Sequence, residues 1–350
     1  MSNDSRDGAA LTTRAEDLLA APELIAGACD LAPAEDGAVR FQRFPRELQA
    51  FCTSTAGWRI RSHCTAGVRI RFRSDTRLLR LAVRYGEAVP RNRFALDVEV
   101  DGRLSGSFGA AAPGRGARWS GTLFTALERK TRDFIVWLPH LCEVLVERME
   151  IEDGAALEPA KPAGRRWLAL GDSITQGFVA DGPSRSYVSL TAKALGVELA
   201  SLGFGGAKAA GELAAAGRAI SADLITIALG VNDYASHRSA ADFAASVGAL
   251  LGGLREAQPN TRMAWITPIP YHAFMDKRNQ AGLLLQDYAE IIRRQAASVT
   301  GVEVIAGEGL VPDEARWFVD NCHPNDAGHA AYAANLVKAL RPILRREENS

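Results

Sequence analysis

The hydrophobic pattern changes its period once, near residue 160, and this change constrains the fold more than any other feature of the sequence. In residues 40–153 apolar and polar residues alternate, as in residues 68–73 and 94–101. After residue 164, short apolar runs alternate with stretches of helical spacing. Period two is typical of strands that cover a core on one side, whereas continuous apolar strands joined by helices are typical of a parallel sheet covered on both faces. We therefore predict an all-β domain followed by an α/β domain.

Composition and turn signals divide the first half of the chain. Residues 1–35 are polar and rich in alanine, and we predict a tail or a short helix over residues 15–26. Residues 36–157 hold about eight short runs of strand character, including residues 58–64, and turn sequences such as the one at Pro113 separate them. Short strands with regular turns predict a jelly-roll-like β-sandwich.

A linker and five apolar runs organise the second half. Residues 158–165 contain two prolines and a glycine, which predicts a linker before an α/β domain over residues 166–350. We predict strands over 167–170, 197–202, 224–229, 263–266 and 302–305, and helices over 187–195, 211–219, 240–256, 280–297 and 326–344. Five strands with short connections predict a doubly wound, flavodoxin-like five-stranded parallel sheet. Ligands of such sheets bind beyond the carboxyl ends of the strands, so catalytic residues are expected there.

The composition excludes several classes of partner. Lysine plus arginine and aspartate plus glutamate both number 41, so the net charge gives no attraction to nucleic acid or to an anionic membrane. The basic run at residues 69–73 alternates with apolar residues and is interpreted as a solvated strand face. We expect neither a secretory signal nor a membrane span, because Pro22 and Glu23 interrupt the first apolar stretch and no apolar run approaches about 20 residues. Five cysteines without a C-x-x-C pair favour reduced thiols in a cytoplasmic protein.

A serine, an aspartate and a histidine follow predicted strands of the α/β domain. Ser173 comes just after the first strand, in the sequence Gly-Asp-Ser-Ile-Thr-Gln-Gly, and Asp320 and His323 follow the fifth strand. A serine hydroxyl becomes a nucleophile when a histidine removes its proton, and a carboxylate can orient that histidine. Taken alone, each motif also fits a structural role, because serine caps helices and aspartate forms turns. Their shared position at the carboxyl end of one sheet favours catalysis.

Hydrogen-bond donors for an oxyanion follow the second and third strands. Gly206 can present its backbone N–H without a side chain in the way, and Asn232 can present a side-chain amide. Gly203 and Gly205 are alternatives to Gly206. A flexible turn and an Asx turn would account for the two motifs taken alone, whereas their combination with Ser173 favours an oxyanion hole.

In this order, the four motifs resemble the conserved blocks of the SGNH (GDSL-type) hydrolase superfamily. The resemblance covers residues 167–344 and implies a triad of Ser173, His323 and Asp320. It also implies an oxyanion hole formed by the Ser173 backbone, Gly206 and Asn232, and it implies no cofactor. One departure is that Ser201 stands about where the family has an asparagine.

The first half of the chain resembles the sandwich domain fused ahead of some bacterial SGNH esterases, through residues 58–72. The two-domain layout is similar to that of family-two carbohydrate esterases, which deacetylate plant polysaccharides. The similarity in layout is an analogy about the substrate, because fold does not imply function.

Other side chains are assigned smaller roles. Candidates for the wall of a substrate pocket are Asp172, Phe204, Tyr234, Tyr271 and Trp317. No metal site is expected, because His63, His140, His237 and His272 lie in different segments without ligand spacing. His329 is interpreted as structural. Cys322 is a poor candidate for the nucleophile, because it lacks a histidine of its own.

These residues together predict a serine ester hydrolase that works through an acyl-enzyme. The expected substrate is a small-molecule or oligosaccharide ester, and acetyl is the preferred acyl group. The alternatives are an acyltransferase with the same triad and a carbohydrate-binding protein without activity. A homo-oligomer is compatible with the sequence.

Overall fold

The computed structural model describes residues 11–90, 94–109, 114–161 and 163–345. Parts of several predictions lie outside these residues. They are residues 1–10 of the tail, Pro113 of a turn, Pro162 of the linker and residues 346–350 of the second domain.

Two antiparallel sheets form the first half of the chain. One has the order β3-β4-β11-β6-β9, with β1 also paired to β11, and the other has the order β12-β5-β10-β7-β8, with β2 also paired to β5. The strands are β1 (Thr13–Glu16), β2 (Ile25–Ala26), β3 (Asp30–Pro33), β4 (Val39–Gln42), β5 (Arg69–Ser74), β6 (Leu78–Ala88), β7 (Leu96–Val100), β8 (Arg103–Phe108), β9 (Arg118–Thr125), β10 (Arg132–Trp137), β11 (Cys142–Glu152) and β12 (Glu158–Pro159).

The alternation in the sequence places one face of each sheet in a shared core. Leu81 and Val83 of β6 and Ile70 and Phe72 of β5 are buried in one cluster that draws on both sheets. Phe72 stacks on Phe134 of the neighbouring strand at 5.0 Å between ring centroids. The predicted β-rich domain of antiparallel sheets is therefore confirmed.

The second half is built on a parallel sheet of five strands in the order β14-β13-β15-β16-β17. The strands are β13 (Arg166–Gly171), β14 (Glu198–Gly203), β15 (Leu224–Ala228), β16 (Arg262–Ile266) and β17 (Val302–Ile305). The helices of the chain are α1 (Arg46–Cys52), α2 (Ala56–His63), α3 (Ser173–Gln176), α4 (Tyr187–Leu195), α5 (Ala215–Ala219), α6 (Val231–Ala235), α7 (Ala240–Ala257), α8 (Leu285–Ala297) and α9 (Asp326–Arg345). Numbered along this domain alone, the strand order is that of a flavodoxin-like sheet.

Both faces of the parallel sheet are covered. Leu168 and Leu170 of β13 face a core shared with α7 and α8, while Trp167 and Ala169 face a second core shared with α4 and α9. A strand buried on both faces needs apolar residues at every position, which explains the continuous apolar runs. The predicted doubly wound sheet is confirmed.

Two local predictions were wrong, and the predicted linker is in part a strand. Residues 15–26 do not form a helix, because β1 and β2 pair with β11 and β5 and so obtain their backbone hydrogen bonds from the sheets. Residues 58–64 fall largely in helix α2, which begins where the Thr55 hydroxyl accepts the Trp58 N–H at 3.1 Å. The predicted linker begins with β12, which extends one of the antiparallel sheets.

The basic face of β5 is covered rather than solvated. Arg69 and Arg71 both form ion pairs with Glu198 at the start of β14, and the Arg69 side chain is only 5% exposed. Lys193 of α4 reaches the buried carboxylate of Glu99 at 2.7 Å. The predicted solvated face was therefore wrong for Arg69 and Arg71, whereas the Arg73 side chain is 39% exposed. Among the described residues, no helix is long and apolar enough to cross a membrane.

Candidate active site

Ser173 lies at the carboxyl end of β13, on the first turn of the short helix α3. Asp172 caps this helix, because its carboxylate accepts the Ile174 N–H at 2.9 Å, and Gly177 ends it with a φ of +103°. A side chain at Gly171 would collide with Thr175 one turn later. These local constraints hold Ser173 in a tight strand-to-helix turn.

The hydroxyl of Ser173 lies in line with His323 and Asp320. Its Oγ is 2.8 Å from His323 Nε2, and His323 Nδ1 is 3.0 Å from Asp320 Oδ2. With the proton on Nδ1 donated to Asp320, the Nε2 lone pair faces the serine hydroxyl and can accept its proton. The arrangement can therefore generate a serine nucleophile.

Backbone hydrogen bonds fix Asp320 in the turn that holds His323. The Asp320 carboxylate accepts the N–H groups of Cys322 at 2.8 Å and His323 at 2.7 Å, and Phe318 bridges to Pro324 across the loop. Burial alone would raise the Asp320 pKa, but the hydrogen bonds from the His323 ring and these N–H groups outweigh it and hold the pKa well below its usual value. Asp320 therefore stays ionised beside the imidazole.

The three glycines at the end of β14 and just after it differ in what their N–H groups can do. The Gly205 N–H donates to the Gln176 side chain at 2.8 Å, and Gly203 packs so closely under α3 that an added Cβ would lie 2.5 Å from the Gln176 nitrogen. Gly206 has a φ of +80°, and no hydrogen bond from its N–H is recorded in the part of the chain that the structure describes. Of the three, Gly206 therefore has the geometry best suited to an oxyanion donor.

Asn232 lies on α6, directly after β15. Its side-chain amide donates to the Ala207 carbonyl at 3.1 Å, which leaves its second N–H for another acceptor. The next residue, Asp233, is fully buried and accepts hydrogen bonds from Arg238 at 2.9 Å and from the Ala209 N–H at 3.2 Å. These contacts fasten α6 to the loop that contains Gly206.

The structure does not place Asp172, Phe204 or Tyr234 on an open wall of the site. Asp172 is 3% exposed and is occupied as the cap of α3, and burial raises its pKa to about 6. Phe204, between Gly203 and Gly205, is fully buried. Tyr234 is 4% exposed, and its hydroxyl donates to the Lys277 carbonyl at 2.8 Å. Because their polar or aromatic groups are used internally, these three predictions are corrected.

Tyr271 and Trp317 are half-buried. Tyr271 stacks on Phe274 with ring centroids 4.6 Å apart. Burial raises the Tyr271 pKa, and the charges of Cys322 and Asp320 raise it further.

Residues that the sequence did not single out also shape the site. The Phe178 ring lies 5.5 Å from the His323 ring, between centroids. Gln176 donates to the His140 carbonyl at 3.1 Å and accepts from Gly205, so it links α3 to both domains. Trp58 of α2 lies beside Gly206, since a Cβ added there would be 3.3 Å from its indole nitrogen. Trp58 could not be assigned from sequence, because its segment was predicted to be a strand of another domain.

His329 occupies a buried position behind the site. Its ring accepts the Tyr187 N–H at 3.2 Å and contacts the Phe178 carbonyl at 3.2 Å, so it supports the loop after Ser173. Within the described residues, no group of three or more His, Cys, Asp or Glu side chains could hold a metal ion.

Residues 169–331 match the GDSL-like Lipase/Acylhydrolase family. The chain carries a GDSL-like lipase/acylhydrolase domain. This domain contains all five residues that the sequence assigned to the triad and the oxyanion hole, namely Ser173, Gly206, Asn232, Asp320 and His323. No curated protein matches the sequence.

Solved structures share the layout of a β-rich domain followed by a GDSL-like domain. The salicylyl-acyltransferase SsfX3 from a tetracycline biosynthetic pathway is 23% identical, with 92% of this chain and 95% of that chain covered and a TM-score of 0.81. A putative GDSL-like lipase from Bacteroides ovatus is 19% identical, covering 96% and 98%, with a TM-score of 0.76. A family two carbohydrate esterase from Clostridium thermocellum, in complex with cellohexaose, is 16% identical, covering 80% and 94%, with a TM-score of 0.63. At these identities the likeness establishes the fold.

Proposed function

We propose that the chain is a serine ester hydrolase that works through an acyl-enzyme. The observation that carries this proposal is the continuous line of contacts from Ser173 Oγ to His323 Nε2 at 2.8 Å and from His323 Nδ1 to Asp320 at 3.0 Å. A structural serine needs a single acceptor, whereas a nucleophile needs a base that is itself oriented by a third group.

The proposed reaction has two similar halves. Ser173 attacks the ester carbonyl while His323 takes its proton, and N–H groups of Ser173, Gly206 and Asn232 bind the oxyanion of the tetrahedral intermediate. His323 then gives the proton to the leaving alcohol, which departs and leaves an acyl-serine. Water attacks this acyl group with the same base, and release of the carboxylic acid restores Ser173.

We propose a short acyl group, acetyl by preference, on a carbohydrate or another small ester. The support is the likeness in fold to family two carbohydrate esterases and to an acetyl xylan esterase from Butyrivibrio proteoclasticus. All five cysteines are free thiols, which supports a reducing cytoplasm, where the enzyme would meet imported acetylated oligosaccharides or small esters.

Transfer of the acyl group to an alcohol is the second candidate. The observation that favours it is the likeness to a salicylyl-acyltransferase across both domains, with a TM-score of 0.81. The two reactions share the acyl-enzyme and differ in whether water or an alcohol attacks it. Product analysis of an acetyl ester with and without added sugars distinguishes them, because a transferase yields an acetylated sugar in place of free acetate.

The test of the proposal is Ser173→Ala. Loss of a central triad residue lowers kcat by about 10⁴-fold to 10⁶-fold, and we expect p-nitrophenyl acetate turnover to fall by that order with the unfolding temperature little changed. The matched control is Ser184→Ala, which removes a hydroxyl that donates to the Asp97 carboxylate and should keep kcat. Undiminished turnover in folded Ser173→Ala would rule the proposal out.

A further inference from the structure

Arg43 is a buried cation, and within the described residues its side chain donates its hydrogen bonds to backbone carbonyls alone. It follows β4 and is 1% exposed. On one side it donates to the carbonyls of Cys64 at 2.6 Å and Arg61 at 3.1 Å, at the end of α2. On the other side its Nη1 donates to the carbonyls of Ser201 at 2.8 Å and Gly203 at 3.1 Å. A single guanidinium thus joins the first domain to the last residues of β14.

Burying the charge of Arg43 costs free energy, which indicates a role beyond packing. Within the described residues Arg43 forms no ion pair, and burial lowers its pKa to about 10, so it remains charged at neutral pH. Burying a charge without a counter-ion is unfavourable, and replacing buried ionic groups with well-packed apolar ones is often neutral or stabilising. Partial compensation comes from the α2 carbonyls, which attract a cation at a helix C-terminus.

Arg43 binds two elements that flank Gly206, namely the end of β14 and the end of α2. Gly203 is the last residue of β14, and the chain continues through Phe204 and Gly205 to Gly206. Helix α2, bound by the same guanidinium, places Trp58 against Gly206. Gln176 holds Gly205 from the side of α3. Arg43 and Gln176 therefore contact the residues just before Gly206, and the helix that Arg43 binds contacts Gly206 itself.

We infer that Arg43 is a positioning residue that aims the Gly206 N–H at the oxyanion formed on Ser173. The inference rests on the proposed function and adds to it a residue of the first domain. The guanidinium suits this role because its planar fork fixes several carbonyls in one geometry, which a lysine ammonium cannot do.

The test compares R43Q and R43K with R69Q. Arg69 is a matched control, because it is also a buried arginine of the first domain and also donates to a β14 carbonyl, that of Leu199 at 3.3 Å, seven residues before Gly206 in the chain. The measurements are kcat and KM with p-nitrophenyl acetate, the rate at which a fluorophosphonate labels Ser173, and the unfolding temperature.

We expect R43Q to lower kcat by about 10-fold to 100-fold, since small displacements of catalytic groups cost up to this order. KM should change little, and labelling should slow in parallel, because phosphonylation also needs the oxyanion hole. R43K should recover part of the loss. R69Q should lower the unfolding temperature and retain kcat.

Folded R43Q or R43K with the kcat and labelling rate of the unaltered protein would overturn the inference. If neither Arg43 variant folds while R69Q does, the role of Arg43 is structural and the inference is likewise overturned. If the unaltered protein is not labelled, or if Ser173→Ala keeps its activity, then the proposed function itself fails.

Discussion

At the scale of single residues, the surroundings of the two acids of the site set their pKa values. Asp320 faces N–H groups and the imidazole, so its pKa lies well below the usual value. Asp172 also accepts a backbone N–H, that of Ile174, yet its full burial raises its pKa to about 6. The pKa values of two carboxyl groups near one serine are therefore shifted in opposite directions by their surroundings.

Asp172 should make the protein less stable as the pH rises. Between its ordinary value of 3.8 and its folded value of about 6, the folded state binds more protons than the unfolded state. The slope of the unfolding free energy against pH is therefore negative in this range, with a total of about 3 kcal/mol. Asp172→Asn keeps a capping side chain and loses this titration.

We expect the difference in unfolding free energy between Asp172→Asn and the unaltered protein to move in favour of the variant from pH 4 to pH 6. Chemical unfolding at several pH values measures it. A difference that stays constant across this range would show that Asp172 titrates normally.

At the scale of elements, the site depends on how closely β14 approaches α3. A Cβ on Gly203 would lie 2.5 Å from backbone atoms of Thr175 and Gln176, which cannot move without moving Ser173. The strand and the nucleophile turn are therefore positioned against each other by backbone contact, with no side chain between them.

Gly203→Ala should push these two elements apart. We expect a loss of about 1–3 kcal/mol in stability, as for overpacked cores, together with a lower kcat. Gly252→Ala is the control, because Gly252 is exposed on α7 with nothing within 4 Å of the added Cβ, and it should gain up to about 1 kcal/mol. Thermal unfolding and ester turnover measure both variants, and a Gly203→Ala protein as stable as Gly252→Ala would contradict the close approach.

The sequence predicted those parts of the site that a short motif or the shared edge of the parallel sheet brings together, including the contact of Ser173 with His323, 150 residues away. Asp320 and His323 are three residues apart, and Ser173 sits in a turn whose glycines are its neighbours, so a short motif carries the geometry. The contact of Arg43 with Ser201 joins residues 158 positions apart, and no periodicity reports such a pair. Residues 58–64 were misassigned for a related reason, because alternating arginine and apolar residues fit a strand until the Thr55 cap is seen.

At the scale of the whole molecule, charged groups join the two domains. Glu198 receives Arg69 and Arg71, and its side chain is 18% exposed while that of Arg69 is 5% exposed. Removing one partner of a buried ion pair leaves the other charge uncompensated, which costs more than the pair contributes.

Glu198→Gln should therefore lower the stability by about 2 kcal/mol or more, with kcat retained by the folded protein. The control is Glu314→Gln, because Glu314 pairs with Arg316 at the surface, with 53% and 71% of the side chains exposed, and such a pair contributes at most about 1 kcal/mol. Chemical unfolding measures both variants. Equal effects would show that the ion pairs between the domains do not stabilise the protein.

The arginines that reach β14 also bind carbonyls along its unpaired edge. Among the strands that the structure describes, β14 is the outermost of its sheet and pairs with β13 alone. Arg69 binds the carbonyl of Leu199, and Arg43 binds those of Ser201 and Gly203, so alternate carbonyls on the unpaired side are occupied by guanidinium groups. An open strand edge is a template for pairing with other chains, and charged groups are a common way to block it. The β-rich domain therefore covers this edge of the hydrolase sheet and leaves fewer free carbonyls with which another chain could pair.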